Sequence, residues 1–99
     1  MSVIKIRSEV AGFLLNVQLW LEGHEIGLSY DGDKAYQSTD VIDVKDGKLN
    51  ILLHLQAVSG TDWAFAIVEL EPNQKNLYAT KGTIGPNGNS LIADFVNVP

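Results

Sequence analysis

Few residues in this chain are of the types that do chemistry, and they fall into four groups. The segment Ser29–Asp40, SYDGDKAYQSTD, holds three aspartates, a set able to bind a hard cation. The chain has two histidines, His24 and His54. Glu69 and Glu71 stand two apart near a proline. A fourth group is a pair of amide-rich strings, Asn16-x-Gln18-x-Trp20 and His54-x-Gln56.

The aspartates are weighed first. An EF-hand loop requires oxygen ligands at positions 1, 3, 5, 9 and 12 and glycine at position 6. Counted from Asp31, Asp33 fits, but Ala35, Tyr36 and Ile42 fall at positions 5, 6 and 12. A looser calcium site would use Asp31, Asp33 and Asp40 with backbone carbonyls. The simpler reading is a hairpin connection, because Asp-Gly is a strong two-residue turn signal.

Catalysis finds little footing. Gly-x-Ser-x-Gly is absent, and so is the His-Glu-x-x-His zinc spacing. Glycoside hydrolysis uses carboxylates roughly 5–9 Å apart, and Glu69 and Glu71 would stand about 7 Å apart on a strand. Their place just before Pro72 reads more simply as a solvated acidic strand end. The expectation is a protein that is not an enzyme and carries no cofactor.

The amide strings belong to the clearest periodic segments. In FLLNVQLWL, Phe13, Leu15, Val17, Leu19 and Leu21 hold the odd positions. In LNILLHLQA the odd positions are Leu49, Ile51, Leu53, Leu55 and Ala57. A period of two puts each odd set on one face of a strand. A helix through Val10, Leu14, Val17 and Leu21 is the rival for the first segment, but it would leave Leu15 and Leu19 on a polar side. Strands are therefore expected over 13–21 and 49–57.

Further strand-like stretches follow. VIKIRS and EIGLSY alternate, and TDVIDVK is short and split by Asp43. DWAFAIVEL is apolar on both faces until Glu69, as for a strand covered on both sides or at an interface. NLYATKGTI and SLIADFVNV come last. Between them lie turn signals such as Glu22-Gly23, Asp46-Gly47 and Pro86-Asn87-Gly88-Asn89. That rhythm predicts an all-β chain, an antiparallel β-sandwich of about seven or eight short strands, with a small β-barrel as the alternative. Residues 1–99 are expected to form a single domain around one core.

If 13–21 and 49–57 are neighbours in a sheet, their even positions share a face. Asn16, Gln18, Trp20, His54 and Gln56 would then form a polar, nearly uncharged platform with one aromatic ring. Amides both donate and accept, matching sugar hydroxyls, and an indole can stack on an apolar sugar face. The function expected is a non-catalytic, lectin-like carbohydrate-binding module. The alternative is a protein-interaction or self-assembling homo-oligomeric subunit, such as an acidic inhibitor or immunity-type protein, because interface cores are also poor in charge and rich in aromatics. A calcium-dependent binding module is a third reading.

Composition limits the partners. Twelve acidic against seven basic residues leave a net charge of −5, which repels nucleic acid and anionic lipid. No run approaches the length of a membrane span, and the start, MSVIKIRSEV, lacks a signal-peptide core. The chain has no cysteine, which fits a reducing compartment. A soluble protein is expected, cytoplasmic as synthesised, with leaderless release as an option.

Overall fold

The computed structural model describes residues 2–30 and 35–98. Nine strands and no helix occur among them: β1 (Ser2–Gly12), β2 (Asn16–Leu21), β3 (His24–Ile26), β4 (Ser29–Tyr30), β5 (Ala35–Val44), β6 (Lys48–Gln56), β7 (Asp62–Glu71), β8 (Lys75–Thr83) and β9 (Asn89–Asn97). They form two antiparallel sheets. One is five-stranded in the order β4-β5-β1-β7-β8, the other four-stranded in the order β3-β2-β6-β9. The sheets do not close on each other, so the small-barrel alternative is overturned.

Alternation explains the layering. Leu49, Ile51, Leu53 and Leu55 of β6 are buried while Lys48, Asn50 and Leu52 between them are exposed. Ile4, Ile6 and Val10 of β1 and Phe65 and Ile67 of β7 do the same from the opposite sheet. All join one hydrophobic cluster. Each fully buried side chain of this kind is worth about 1.5–3 kcal/mol, so these two inner faces dominate the packing energy.

The expected strand over 13–21 starts later, at Asn16. Phe13 and Leu15, expected inside, are 68% and 77% exposed, while Leu14, expected outside, is buried. The cause is a break in the chain at Gly12, whose φ is +140°; a Cβ there would lie 2.8 Å from the Asp62 carbonyl oxygen. The backbone bends, Leu14 N–H donates to the Gly12 carbonyl at 3.0 Å, and the parity of the buried face is reset.

EIGLSY does not form one strand. Ile26 ends β3 in the four-stranded sheet and Ser29 begins β4 in the other, so the chain changes sheet at Gly27-Leu28. The β2–β3 hairpin turns on Glu22 and Gly23 with φ of +51° and +77°. Positive φ at both central residues is the type I′ geometry that suits the strand twist. TDVIDVK, expected to be short and split, runs unbroken from Thr39 to Val44 within the ten-residue β5, with Lys45 just beyond it.

Candidate functional site: the outer face of the four-stranded sheet

The register of β2 on β6 decides which side chains meet. Asn16 faces Gln56, Gln18 faces His54 and Trp20 faces Leu52. Directly opposed residues in a sheet share a face, so Asn16, Gln18, Trp20, His54 and Gln56 stand together on the outer side. Strand β9 extends this face. Its Asn89, Leu91, Ala93 and Phe95 lie opposite Gln56, His54, Leu52 and Asn50.

The upper part of the face is a hydrogen-bonded network. Asn16 Nδ2 donates to Gln56 Oε1 at 3.0 Å. His54 Nδ1 lies 3.2 Å from Gln18 Oε1, and Nε2 lies 3.2 Å from Asn89 Oδ1. Asn89 is itself held by Asn87, donating Nδ2 to its carbonyl at 3.1 Å. These amides are thus oriented by one another before any ligand arrives.

Below the network the face is apolar. Trp20 is half-buried beside Leu52, and a shallow depression of about 440 Å³ is lined by these two with His54, Asn87, Asn89 and Leu91. Leu91 is 67% exposed and Phe95 49%. The ammonium of Lys48 sits 4.9 Å from the centre of the Phe95 ring. Acidic charge borders the face as well: Asn50 Nδ2 donates to Glu22 Oε2 at 2.9 Å and Glu25 faces Trp20.

Asn87, Asn89, Leu91 and Phe95 were not among the residues expected at the site. The signal was present, since Leu91, Ala93 and Phe95 alternate with period two. What the sequence lacked was any sign that β9 borders β6, a pairing across roughly forty positions of chain.

Asp31 and Asp33 lie outside the described residues. Asp40 accepts a hydrogen bond from Ser38 Oγ at 2.7 Å, and no group of three or more His, Cys, Asp or Glu that could hold a metal occurs among the described residues. His24 lines a separate cleft of about 530 Å³ at the open seam between β3 and β5, with Glu22, Asp40 and Asp43.

Glu69 and Glu71 part company. Glu69 is 2% exposed and accepts from the Asn73 amide at 3.1 Å, so the reading of it as a solvated strand end is corrected. Glu71 is exposed and pairs with Lys5 at 3.4 Å. On the outside of the five-stranded sheet, the short side chains of Ala11, Ala64, Ala66 and Ala79 leave a trough between Glu9 and Lys81.

Among the described residues no helix is long and apolar enough to cross a membrane. No protein-family model, curated protein or solved structure matches this chain.

Proposed function

We propose that the two sheets act as a β-sandwich binding module without catalytic activity, taking a neutral ligand, a glycan, on the outer face of the four-stranded sheet. One observation carries this reading: an indole-walled depression bordered by amides and an imidazole that already orient one another. An apolar floor with a neutral hydrogen-bonding rim suits a ring that is greasy on one side and hydroxylated at its edge. Trp20 would stack on the ring, and Gln18, His54 and Asn89 would bond its hydroxyls. Asn16 and Gln56, which bond each other, would form the outer limit of the rim.

A glycan array probed with the full chain and with Trp20→Ala tests this. Binding by the parent that disappears in the variant supports the module. No binding by the parent, or equal binding by both, removes the glycan reading.

The exposure of Leu91 and Phe95 favours a second reading, a protein-interaction or self-assembling subunit. In its acidic inhibitor or immunity-type form, the charge of −5 would steer encounter with a basic partner.

A further inference from the structure

The four ends of the two sheets are not equally guarded. Strands β3 and β4 lie at one pair of edges; β3 is only three residues long, and β4 is described over Ser29–Tyr30. Strand β8 carries Lys75 and Lys81, and its pairing with β7 shifts register between Ile67 and Val68. Short strands, edge lysines and irregular pairing are the usual devices that stop a sheet from recruiting another chain. Strand β9 is different. It is nine residues long, pairs in regular register with β6 alone among the described strands, and holds one charged residue, Asp94.

The phase of its hydrogen bonding follows from two bonds that continue the β6–β9 register at either end. Ala57 N–H donates to the Gly88 carbonyl at 3.0 Å, and Val98 N–H to the Gly47 carbonyl at 2.7 Å. Hydrogen-bonded pairs alternate along an antiparallel ladder. Ser90, Ile92, Asp94 and Val96 therefore bond inward to β6, while Asn89, Leu91, Ala93, Phe95 and Asn97 turn their amides and carbonyls to the open edge. Side chains occupy two of those amides: Asn87 Oδ1 takes Asn89 N–H at 3.1 Å, and Asp94 Oδ1 takes Phe95 N–H at 2.8 Å. The remaining donors at the centre are those of Leu91 and Ala93.

The order of side chains along β9 is self-complementary about Ala93. An antiparallel copy centred there sets Ala93 against Ala93, Leu91 against Phe95, and Asn89 against Asn97. Small meets small at the axis, apolar meets aromatic, and amide meets amide. Asp94 falls opposite Ile92 of the second copy instead of its own equivalent. Moving the axis to Asp94 would place two carboxylates face to face, which is destabilising. Moving it to Ile92 would set Asn89 against Phe95. An axis between residues would break the match of open donors to open acceptors and turn the apolar face inward.

We propose that two copies of this chain associate through β9, two-fold about Ala93, into a continuous eight-stranded sheet. Leu91 N–H of each copy donates to the Phe95 carbonyl of the other, and the two Ala93 residues exchange both bonds. The apolar stripe from Trp20 through Leu52 then runs on across the axis. Phe95 N–H is shared between Asp94 and the incoming strand, which makes the pairing a reversible equilibrium. This deepens the self-assembly reading and is independent of the glycan one, because the axis is normal to the sheet and leaves its outer face uncovered.

Sedimentation of the full chain from micromolar to millimolar concentration tests the association. The expected result is a monomer–dimer equilibrium that Ala93→Pro abolishes, since proline removes an edge-facing N–H and leaves the inward ladder intact. Register is read separately with Ala93→Cys. Paired strands hold opposed Cα atoms about 5.5 Å apart, within disulfide reach, and the parent has no cysteine to confuse the product. Oxidation should cross-link Ala93→Cys, while Val58→Cys, on a remote exposed loop, should not. If Ala93→Pro fails to fold, amide exchange in the parent decides. Exchange at Leu91 and Ala93 should slow with concentration while Ile92 and Asp94 stay protected throughout. A chain that is monomeric at every concentration, a dimer retained in folded Ala93→Pro, or a dimer whose Ala93→Cys form does not cross-link overturns the proposal. Glycan binding plays no part in any of these readouts.

Discussion

Tyr78 Oη of β8 donates a 2.9 Å hydrogen bond to Asp94 Oδ2 of β9, linking the two sheets across their open seam. The Tyr78 ring also meets Phe65 with centroids 5.8 Å apart. One side chain thus touches its own sheet's core and the edge of the other sheet.

Burial first, then the hydrogen bond and the charge of Asp94, raise the Tyr78 phenol above its ordinary value of 10.0, against a smaller opposing hydrogen bond with Thr80. The folded state therefore favours the protonated phenol more than the unfolded state does. The stability this contributes is complete below pH 10 and falls as pH rises from there through the folded value. Thermal melts across that alkaline range should show the parent losing stability relative to Tyr78→Phe. Near neutral pH, Tyr78→Phe should cost about 0.5–1.5 kcal/mol, the net worth of one hydrogen bond. A constant difference between the two proteins at all pH values would refute the linkage.

Gly82 lies opposite Trp63 in the β7–β8 pair, and a Cβ built on it would come within 2.8 Å of Trp63 Cζ2. Its backbone has no left-handed φ, so the requirement is space for the indole. At an unstrained position, Gly→Ala would stabilise by about 0.4–1 kcal/mol through the unfolded state. Overpacking against a buried ring costs about 1–3 kcal/mol, so the clash wins. Urea unfolding of Gly82→Ala should show a lower midpoint; a higher one would mean that the indole yields.

Ser8 is fully buried, and its Oγ has no hydrogen-bond partner among the described residues. An unsatisfied buried hydroxyl carries a desolvation cost of about 1–3 kcal/mol. Ser8→Ala removes that cost together with one small atom. The variant should be more stable by about 1 kcal/mol, seen as a raised denaturant midpoint with an unchanged slope. Destabilisation would indicate a bridging water at that position.

Both ring nitrogens of His54 face amide oxygens, yet a neutral imidazole has only one N–H. Asn89 cannot turn over without losing the bond it donates to Asn87. Among the described residues Gln18 is held by no such second bond, so its amide is the one free to turn over and present NH₂ to Nδ1. Neutral His54 should therefore carry its proton on Nε2. Nitrogen chemical shifts of the imidazole read this directly, and a proton on Nδ1 would contradict the arrangement.

Local chemistry accounts for the parts of this protein that were legible beforehand. Period-two spacing put Gln18, Trp20, His54 and Gln56 on the side opposite Leu19, Leu21, Leu53 and Leu55, because successive side chains on a strand must alternate. Glu22-Gly23 marked a hairpin for the same local reason. Parity was misread where the chain bends, at Gly12 to Leu15, since one irregular residue reverses every position nearby. Glu69 looked solvated because its charge was visible, while the burying surface came from distant segments.

The primary structure by itself determined an all-strand chain, the hydrophobic side of its clearest strands, and a net acidic charge. Only the tertiary structure decided that β9 borders β6, that Asn89 and Leu91 complete the Trp20 face, and that one regular edge is left open. Alternation is enforced between adjacent residues by backbone geometry. Partnership between strands instead depends on which buried faces fit together across the whole core, and no short window of residues encodes that.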